Sequence, residues 1–176
     1  MNLQDEIKST IRVVPDFPIP GVSFKDITPL FLNPDLMTRC QTELSMPWIS
    51  KGITKVLGIE SRGFLFGPGI AMNLNAGFVI VRKKGKLPPE TQSVTYSLEY
   101  GTASIEIVKD SVMPGDNVLI HDDLLATGGT AAAAAKLVEM LGAKVAGFSF
   151  LSHLSFLDGE NALKPFSGNI HYLIQY

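Results

Sequence analysis

Asp122-Asp123, followed after three residues by Thr127-Gly128-Gly129-Thr130, is the stretch of this sequence best equipped for chemistry. Adjacent carboxylates can bind a hard cation such as Mg2+ or accept hydrogen bonds from a pair of hydroxyls. A glycine-softened turn that opens a helix offers close backbone amides, two threonine hydroxyls and the positive end of the macrodipole. Together these cradle a phosphate. The plainer alternative is a strand-to-helix turn with a Thr N-cap. The acids weigh against it, because carboxylates repel a neighbouring phosphate unless sugar hydroxyls, a Mg2+ or both lie between them. A ribose 5-phosphate, with a phosphate at one end and a diol in the middle, fits that arrangement. Arg62 in GIESRGF, with Arg82, Lys83, Lys84 and Lys86 in VRKKGKLP, offers a second anion site. Neither common nucleotide fingerprint is present: GxxxxGK[ST] is missing, and Gly67-Pro68-Gly69 lacks the third glycine of a dinucleotide loop.

These residues need a scaffold, and hydrophobic periodicity outlines one. Leu3, Ile7, Ile11 and Val14 recur at helical spacing and predict a helix over 3–14, ended by Pro15, Pro18 and Pro20. An irregular, proline-punctuated segment follows, then a helix over about 35–50 introduced by Asn33-Pro34. KVLGIES (55–61), GFVIVRK (77–83), NVLIHDD (117–123), AKVAGFSFLSHL (143–154) and IHYLIQY (170–176) read as buried strands. RGFLFGPGIAMNL turns into a helix, residues 129–141 form another, and TYSLEY with ASIEIVKD makes a hairpin about Gly101. Apolar strands alternating with helices predict an α/β fold, a doubly wound, mostly parallel sheet flanked by helices. Ligands of such sheets sit beyond the carboxyl ends of the strands. Asp122-Asp123 and Glu60-Ser61-Arg62 fall at such ends.

The bulk properties bound the function. A length of 176 residues, 45% hydrophobic and 18% charged, suits one globular domain. The formal net charge of -2 argues against binding nucleic acid or an anionic membrane. The lone cysteine, Cys40, excludes an internal disulfide and points to a reducing, cytoplasmic location; within a helix it reads as a buried, inert thiol. The first ten residues carry no apolar core of a signal peptide, and no run is long and apolar enough to span a membrane.

Taken together, the segments resemble the type I phosphoribosyltransferases, and among them the adenine-using branch. VLIHDDLLATGGT resembles the family's phosphoribosyl-pyrophosphate signature. PDFPIPGVSFKDITPLF resembles the N-terminal hood of the adenine branch, GIESRGFLFGP its pyrophosphate loop, and VRKKGKLPPETQSVTYSLEYG its mobile catalytic loop. The matches are collinear across residues 15–130. The resemblance implies a single domain over 1–176, with a hood over approximately 1–33, a core over approximately 34–176 and a flexible β-hairpin loop. It implies conversion of adenine and phosphoribosyl pyrophosphate to AMP and pyrophosphate in purine salvage, with Mg2+ carried mainly by the substrate, by a homodimer.

The same resemblance implies residue roles. Ala126, Thr127, Gly128, Gly129 and Thr130 would take the 5-phosphate, and Asp122 and Asp123 the ribose hydroxyls. Ser61 and Arg62 would take pyrophosphate by way of a cis peptide. Lys86 would join them on loop closure, and Arg82 would reach the neighbouring subunit's site. Ser23 and Lys25 would read the adenine edge. Glu99 would stabilise the sugar cation or take the base's proton, with Tyr100 covering the site; Arg62 and Glu99 are thus the candidate catalytic residues. Taken without the resemblance, Glu99 reads as a solvated hairpin residue, and Phe17 and Phe24 as core packing.

The chain departs from the family pattern at Lys25, where arginine is usual. His121 stands where an aliphatic residue precedes the acid pair and reads as a neutral, hydrogen-bonded core residue. His153 and Glu160 stand where the family has glutamate and arginine, which predicts a His153–Glu160 contact of reversed polarity. Three other readings compete: transfer to another purine base, a non-catalytic sensor of phosphoribosyl pyrophosphate, and a receiver domain. The last requires its acid pair near the N-terminus.

Overall fold

Alternating apolar residues send each strand's side chains to both faces of one sheet, and helices cover both faces. The structure is a computed structural model and describes residues 2–97 and 101–176. In chain order the elements are α1 (Leu3–Thr10), β1 (Arg12–Val14), β2 (Phe24–Asp26), α2 (Pro34–Ser45), β3 (Lys55–Ile59), α3 (Gly63–Asn73) and β4 (Gly77–Lys83). Then come β5 (Thr91–Ser97), β6 (Thr102–Val108), β7 (Asn117–Leu125), α4 (Gly129–Met140), β8 (Lys144–His153), α5 (Gly159–Leu163) and β9 (Ile170–Gln175). Among the described residues the main sheet has seven strands in the order β5-β6-β4-β3-β7-β8-β9. β4, β3, β7, β8 and β9 run parallel, while β6 and β5 add an antiparallel edge. This is the predicted doubly wound, mostly parallel architecture.

Strand alternation divides the core in two. Leu57, Ile59, Val118, Ile120, Phe148 and Phe150 face the layer made by α4, whose Ala133, Ala134 and Ala135 are buried. Small side chains let that helix lie close to the sheet. Val56, Leu119 and Leu151 face the opposite layer, built from Ile7 of α1, Leu36, Cys40 and Leu44 of α2, and Phe66 and Ile70 of α3. Cys40 is buried, and burial pushes its thiol up to about 11. It is the inert core residue expected.

Several boundaries differ from the reading of the sequence. The first helix stops at Thr10 rather than Val14. Ile11 turns extended, and the β-prone Arg12-Val13-Val14 pair antiparallel with Phe24–Asp26. The segment that read as irregular therefore holds a strand, and also a 3-10 turn at Thr28–Leu32. The second helix ends at Ser45 and tightens into a 3-10 turn over Met46–Trp48, where Pro47 removes an amide donor. β7 runs to Leu125, beyond the acid pair, because β8 keeps pairing with it there. The short α5 carried no periodic signal at all.

His121 is fully buried in β7, with Nδ1 3.0 Å from the Ser149 carbonyl. That contact makes Nδ1–H the donor of a neutral ring. Burial pushes the imidazole down from 6.5 to about 4, against the smaller opposing effect of that bond. Between these two values the unfolded chain binds more protons than the folded one. Stability is therefore complete above about pH 6.5 and is lost as pH falls towards 4. We expect wild type to lose on the order of 2–3 kcal/mol more than His121→Val over that interval, measured by urea unfolding at several pH values. Parallel stability curves for the two proteins would contradict a buried neutral imidazole.

Candidate functional site

Pairing between β3 and β7 ends at Gly58↔His121. Past that register, the two chains diverge, β3 into α3 and β7 towards α4. β3 is the strand at which the parallel order reverses, so the crevice opens at the topological switch point of the sheet. Asp122 and Asp123 lie at its mouth, past the last pair with β3, and Asp122 pairs with Phe150 of β8. As adjacent strand residues they face opposite ways. Asp122, half-buried, lines two small cavities on the α4 side, of about 150 and 80 Å³. Asp123 is buried on the α3 side, where its Oδ2 meets Arg62 Nε at 3.1 Å. Burial, and then the charge of Asp123, push the Asp122 carboxyl well above the usual range. Burial raises Asp123 as well, and Arg62 opposes it. Hydroxyl donors or a cation would relieve this crowding of acids.

The turn into α4 places a helix start where the sequence predicted a phosphate cradle. Leu124 to Ala131 line the 80 Å³ cavity together with Asp122. The cap residue is Gly128, which has φ 78 and no side chain to satisfy the helix amides. The alternative of a Thr N-cap is thereby excluded. A Cβ on Gly128 would meet the Gly159 carbonyl at 2.5 Å, and one on Gly159 would strike the Ala126 carbonyl. α5 thus buttresses the turn from behind. Thr130 lines both cavities, and its Oγ1 lies 3.1 Å from the hydroxyl of Tyr96 on β5.

Cations gather at the end of β3. The Glu60–Ser61 peptide bond is cis. Glu60 Oε1 holds Lys86 Nζ at 2.9 Å and Arg82 Nη2 at 3.1 Å, and its Oε2 accepts from the Lys83 amide at 2.9 Å. Lys86, then Arg82, hold the Glu60 carboxyl down to about 2. Arg62 carries its guanidinium 5.2 Å from the centre of the Phe24 ring, and Phe17 meets Phe24 edge-on at 5.1 Å. Phe17 is half exposed and neither ring belongs to the core, so packing alone does not account for them.

The candidate residues thus fall into one crevice with few exceptions. Ser61, Arg62, Lys86, Asp122, Asp123 and Ala126 to Thr130 surround its two cavities and the end of β3. Arg82 is folded back onto Glu60 and the Lys86 carbonyl. Lys25 reaches Ser23 Oγ at 3.3 Å and lies 4.7 Å from the centre of the Tyr176 ring, so its ammonium rests on the last residue of the chain. Glu99 and Tyr100 lie outside the described residues. His153 Nδ1 stands 3.7 Å from Glu160 Oε1, the contact predicted from their paired departure. Glu60, Tyr96 and Glu106 were not singled out for roles. Glu106 left a trace in the sequence, an acid set between the apolar Ile105 and Ile107 of one strand.

The chain also has well-characterised likenesses. Residues 40–155 match the model of the phosphoribosyl transferase domain. The adenine phosphoribosyltransferase of Nitrosococcus oceani is 51% identical over 172 residues, 98% of this chain and 99% of the relative. The crystal structure of adenine phosphoribosyltransferase from Rhodothermus marinus superposes with a TM-score of 0.94 at 50% identity, covering 99% of this chain and 98% of that one. The enzyme from Saccharomyces cerevisiae, complexed with adenine and an imino-altritol bisphosphate, gives 0.91 at 40% identity, covering 97% and 98%.

Gly128→Ala tests the cradle. The left-handed backbone and the contact with Gly159 together should remove at least ~1–2 kcal/mol of stability. Affinity for ribose 5-phosphate, measured by calorimetry on the folded variant, should fall at least about tenfold, as the amides are displaced. Lost stability with unchanged affinity would move the phosphate site elsewhere.

Proposed function

The chain belongs to the phosphoribosyl transferase domain family, among its adenine phosphoribosyltransferases, and we propose that it joins adenine to 5-phosphoribosyl 1-pyrophosphate, giving AMP and pyrophosphate. It is a pentosyltransferase of purine salvage. The observation that carries the reading is the strand-turn-helix unit of β7 and α4. It sets an amide-rich helix start, capped by a residue without a side chain, next to Asp122 at the switch point of the sheet.

In this reading the 5-phosphate is held by Ala126 to Thr130, and the ribose hydroxyls donate to Asp122 and Asp123. The donor then spans from α4 towards the start of α3, where Ser61, Arg62 and Lys86 receive the pyrophosphate. Ser23 and Lys25, under the hood of residues 1–33, read the base beside Phe24. N9 of adenine attacks C1 of the ribose on the face opposite the leaving group. Positive charge grows on the sugar and negative charge on the pyrophosphate, so fixed cations at one side and carboxylates near the ribose stabilise both. Glu99, with Tyr100, completes the site as the group that meets the sugar cation or the base proton.

Mg2+ fits this donor set. Among the described residues no group of three or more His, Cys, Asp or Glu side chains could hold an ion alone. Two carboxylates and substrate oxygens suit a cation that arrives with the donor. Bound there, it would supply positive charge to the leaving pyrophosphate. Asp122 and Asp123 are the side chains that would hold it or the hydroxyls beside it. The assembly is a homodimer in this reading, supported by exposed Leu65 and Met72 on α3 and Ile80 on β4. Arg82, which holds Glu60 and the Lys86 carbonyl, would have to release them to reach a neighbouring site. The single, buried Cys40 supports a cytoplasmic location.

A spectrophotometric assay with phosphoribosyl pyrophosphate, Mg2+ and each purine in turn tests the reaction. We expect AMP from adenine, at least ~100-fold slower transfer to hypoxanthine or guanine, and loss of turnover on chelation. Faster transfer to either oxopurine would refute the base assignment. Donor binding without transfer to any base would make the chain a sensor.

A further inference from the structure

We propose that Glu106 is a positioning residue for the pyrophosphate subsite, acting through the backbone that carries Lys86. The inference rests on the reading above, in which Lys86 meets the leaving group. Glu106 sits within β6, only 4% exposed, in a register position opposite Arg82. Among the described residues its carboxylate is in no salt bridge. Instead Oε1 accepts three consecutive amides, those of Gly85 at 2.8 Å, Lys86 at 3.0 Å and Leu87 at 3.1 Å. Oε2 accepts the Thr91 hydroxyl at 3.1 Å. Burial raises this carboxyl, but the amide and hydroxyl bonds outweigh it and hold it below the ordinary value.

Successive amides that converge on one point form a nest, an anion-binding shape. Gly85, with φ 88, supplies the left-handed residue that shape requires. Here the anion is built into the protein. The amides of the turn are therefore consumed internally, and the turn offers its ligand a side chain rather than its backbone. A second clamp acts on the same residue from the other side. Arg82 Nη1 donates to the Lys86 carbonyl at 3.1 Å, while Glu60 holds the Lys86 ammonium at 2.9 Å. The N–H of Lys86 is thus fixed by Glu106 and its C=O by Arg82. Its long side chain leaves a backbone that cannot rotate, and the ammonium is delivered to the end of β3 beside Ser61.

The assignment differs from a role in sheet stability because the side-chain bonds of Glu106 run to the turn amides of residues 85–87 and to Thr91, the first residue of β5, rather than to the centre of the sheet. Its loss should loosen the turn and leave the sheet standing. The test compares Glu106→Ala, Glu106→Gln, Thr91→Val, Lys86→Ala and the Glu106→Ala/Lys86→Ala double variant. Readouts are KM for each substrate, kcat, melting temperature and calorimetric affinity for pyrophosphate. Glu106→Ala should raise KM for phosphoribosyl pyrophosphate about tenfold and weaken pyrophosphate binding similarly, with KM for adenine within about twofold. Glu106→Gln, which keeps an oxygen for the amides, should restore most of the affinity. Thr91→Val should cost about threefold, and it carries the test if Glu106→Ala does not fold. In the Lys86→Ala background, Glu106→Ala should add nothing further. Equal increases in both KM values, an unchanged KM for phosphoribosyl pyrophosphate, or a full additional loss in the Lys86→Ala background would each overturn the proposal. If Lys86→Ala itself leaves pyrophosphate affinity unchanged, it is the assignment of Lys86 that fails, and the role of Glu106 falls with it.

Discussion

Gly63, the first residue of α3, lies so close to β7 that a Cβ there would come within 2.7 Å of the His121 carbonyl. That approach draws the start of one helix against the strand that leads into another. It is possible only where a side chain is missing, and it occurs one register step past the last pair of β3 with β7. The acid pair, Arg62 and the amides of α4 are consequently within reach of a single small ligand. A bulkier residue at position 63 would separate the two helix starts and divide the site.

Charge within the site is balanced by internal partners. Arg62 is paired with Asp123, and Glu60 with Lys86 and Arg82, while Glu106 accepts hydrogen bonds from backbone amides. Each cation that would meet a pyrophosphate already holds a carboxylate. Binding an anionic donor is therefore an exchange of partners rather than the filling of a bare positive pocket, and this explains why a net-acidic chain can present a site for a polyanion. It also places Glu60 between Arg82 of β4 and Lys86 of the turn that follows it.

The departures at His121, His153 and Glu160 lie behind the site, and Lys25 is the one that falls among the residues proposed to meet a substrate. His121 faces the layer of α1, α2 and α3, hydrogen-bonded to β8. His153 pairs in register with Leu125, packs its ring 4.7 Å from that of Tyr172, and meets Glu160 next to the glycine that supports the cradle. Lys25 rests on Tyr176, so its ammonium is steadied by that ring.

Local pattern was enough to define the buried strands, the helix after Gly128 and the alternation that sends Asp122 and Asp123 to opposite faces, because periodicity and turn chemistry act between residues close in the chain. It was enough too to mark the cradle, since strand, glycines and hydroxyls are contiguous there. The early end of α1 was hidden, because Arg12–Val14 become a strand only when Phe24–Asp26 arrive from elsewhere in the chain. The extension of β7 past its acids depends likewise on β8, and α5 on the close fit of Gly159 against Ala126. Glu106 shows the division most clearly. Its apolar flanks marked a buried acid, but its partners lie 15 to 21 residues away, across a hairpin, and only the folded turn brings them to its oxygens. Sequence determined which groups could do chemistry. Tertiary structure decided which of them meet, because a hydrogen bond or ion pair depends on separation in space, which is set by packing between elements distant in the chain.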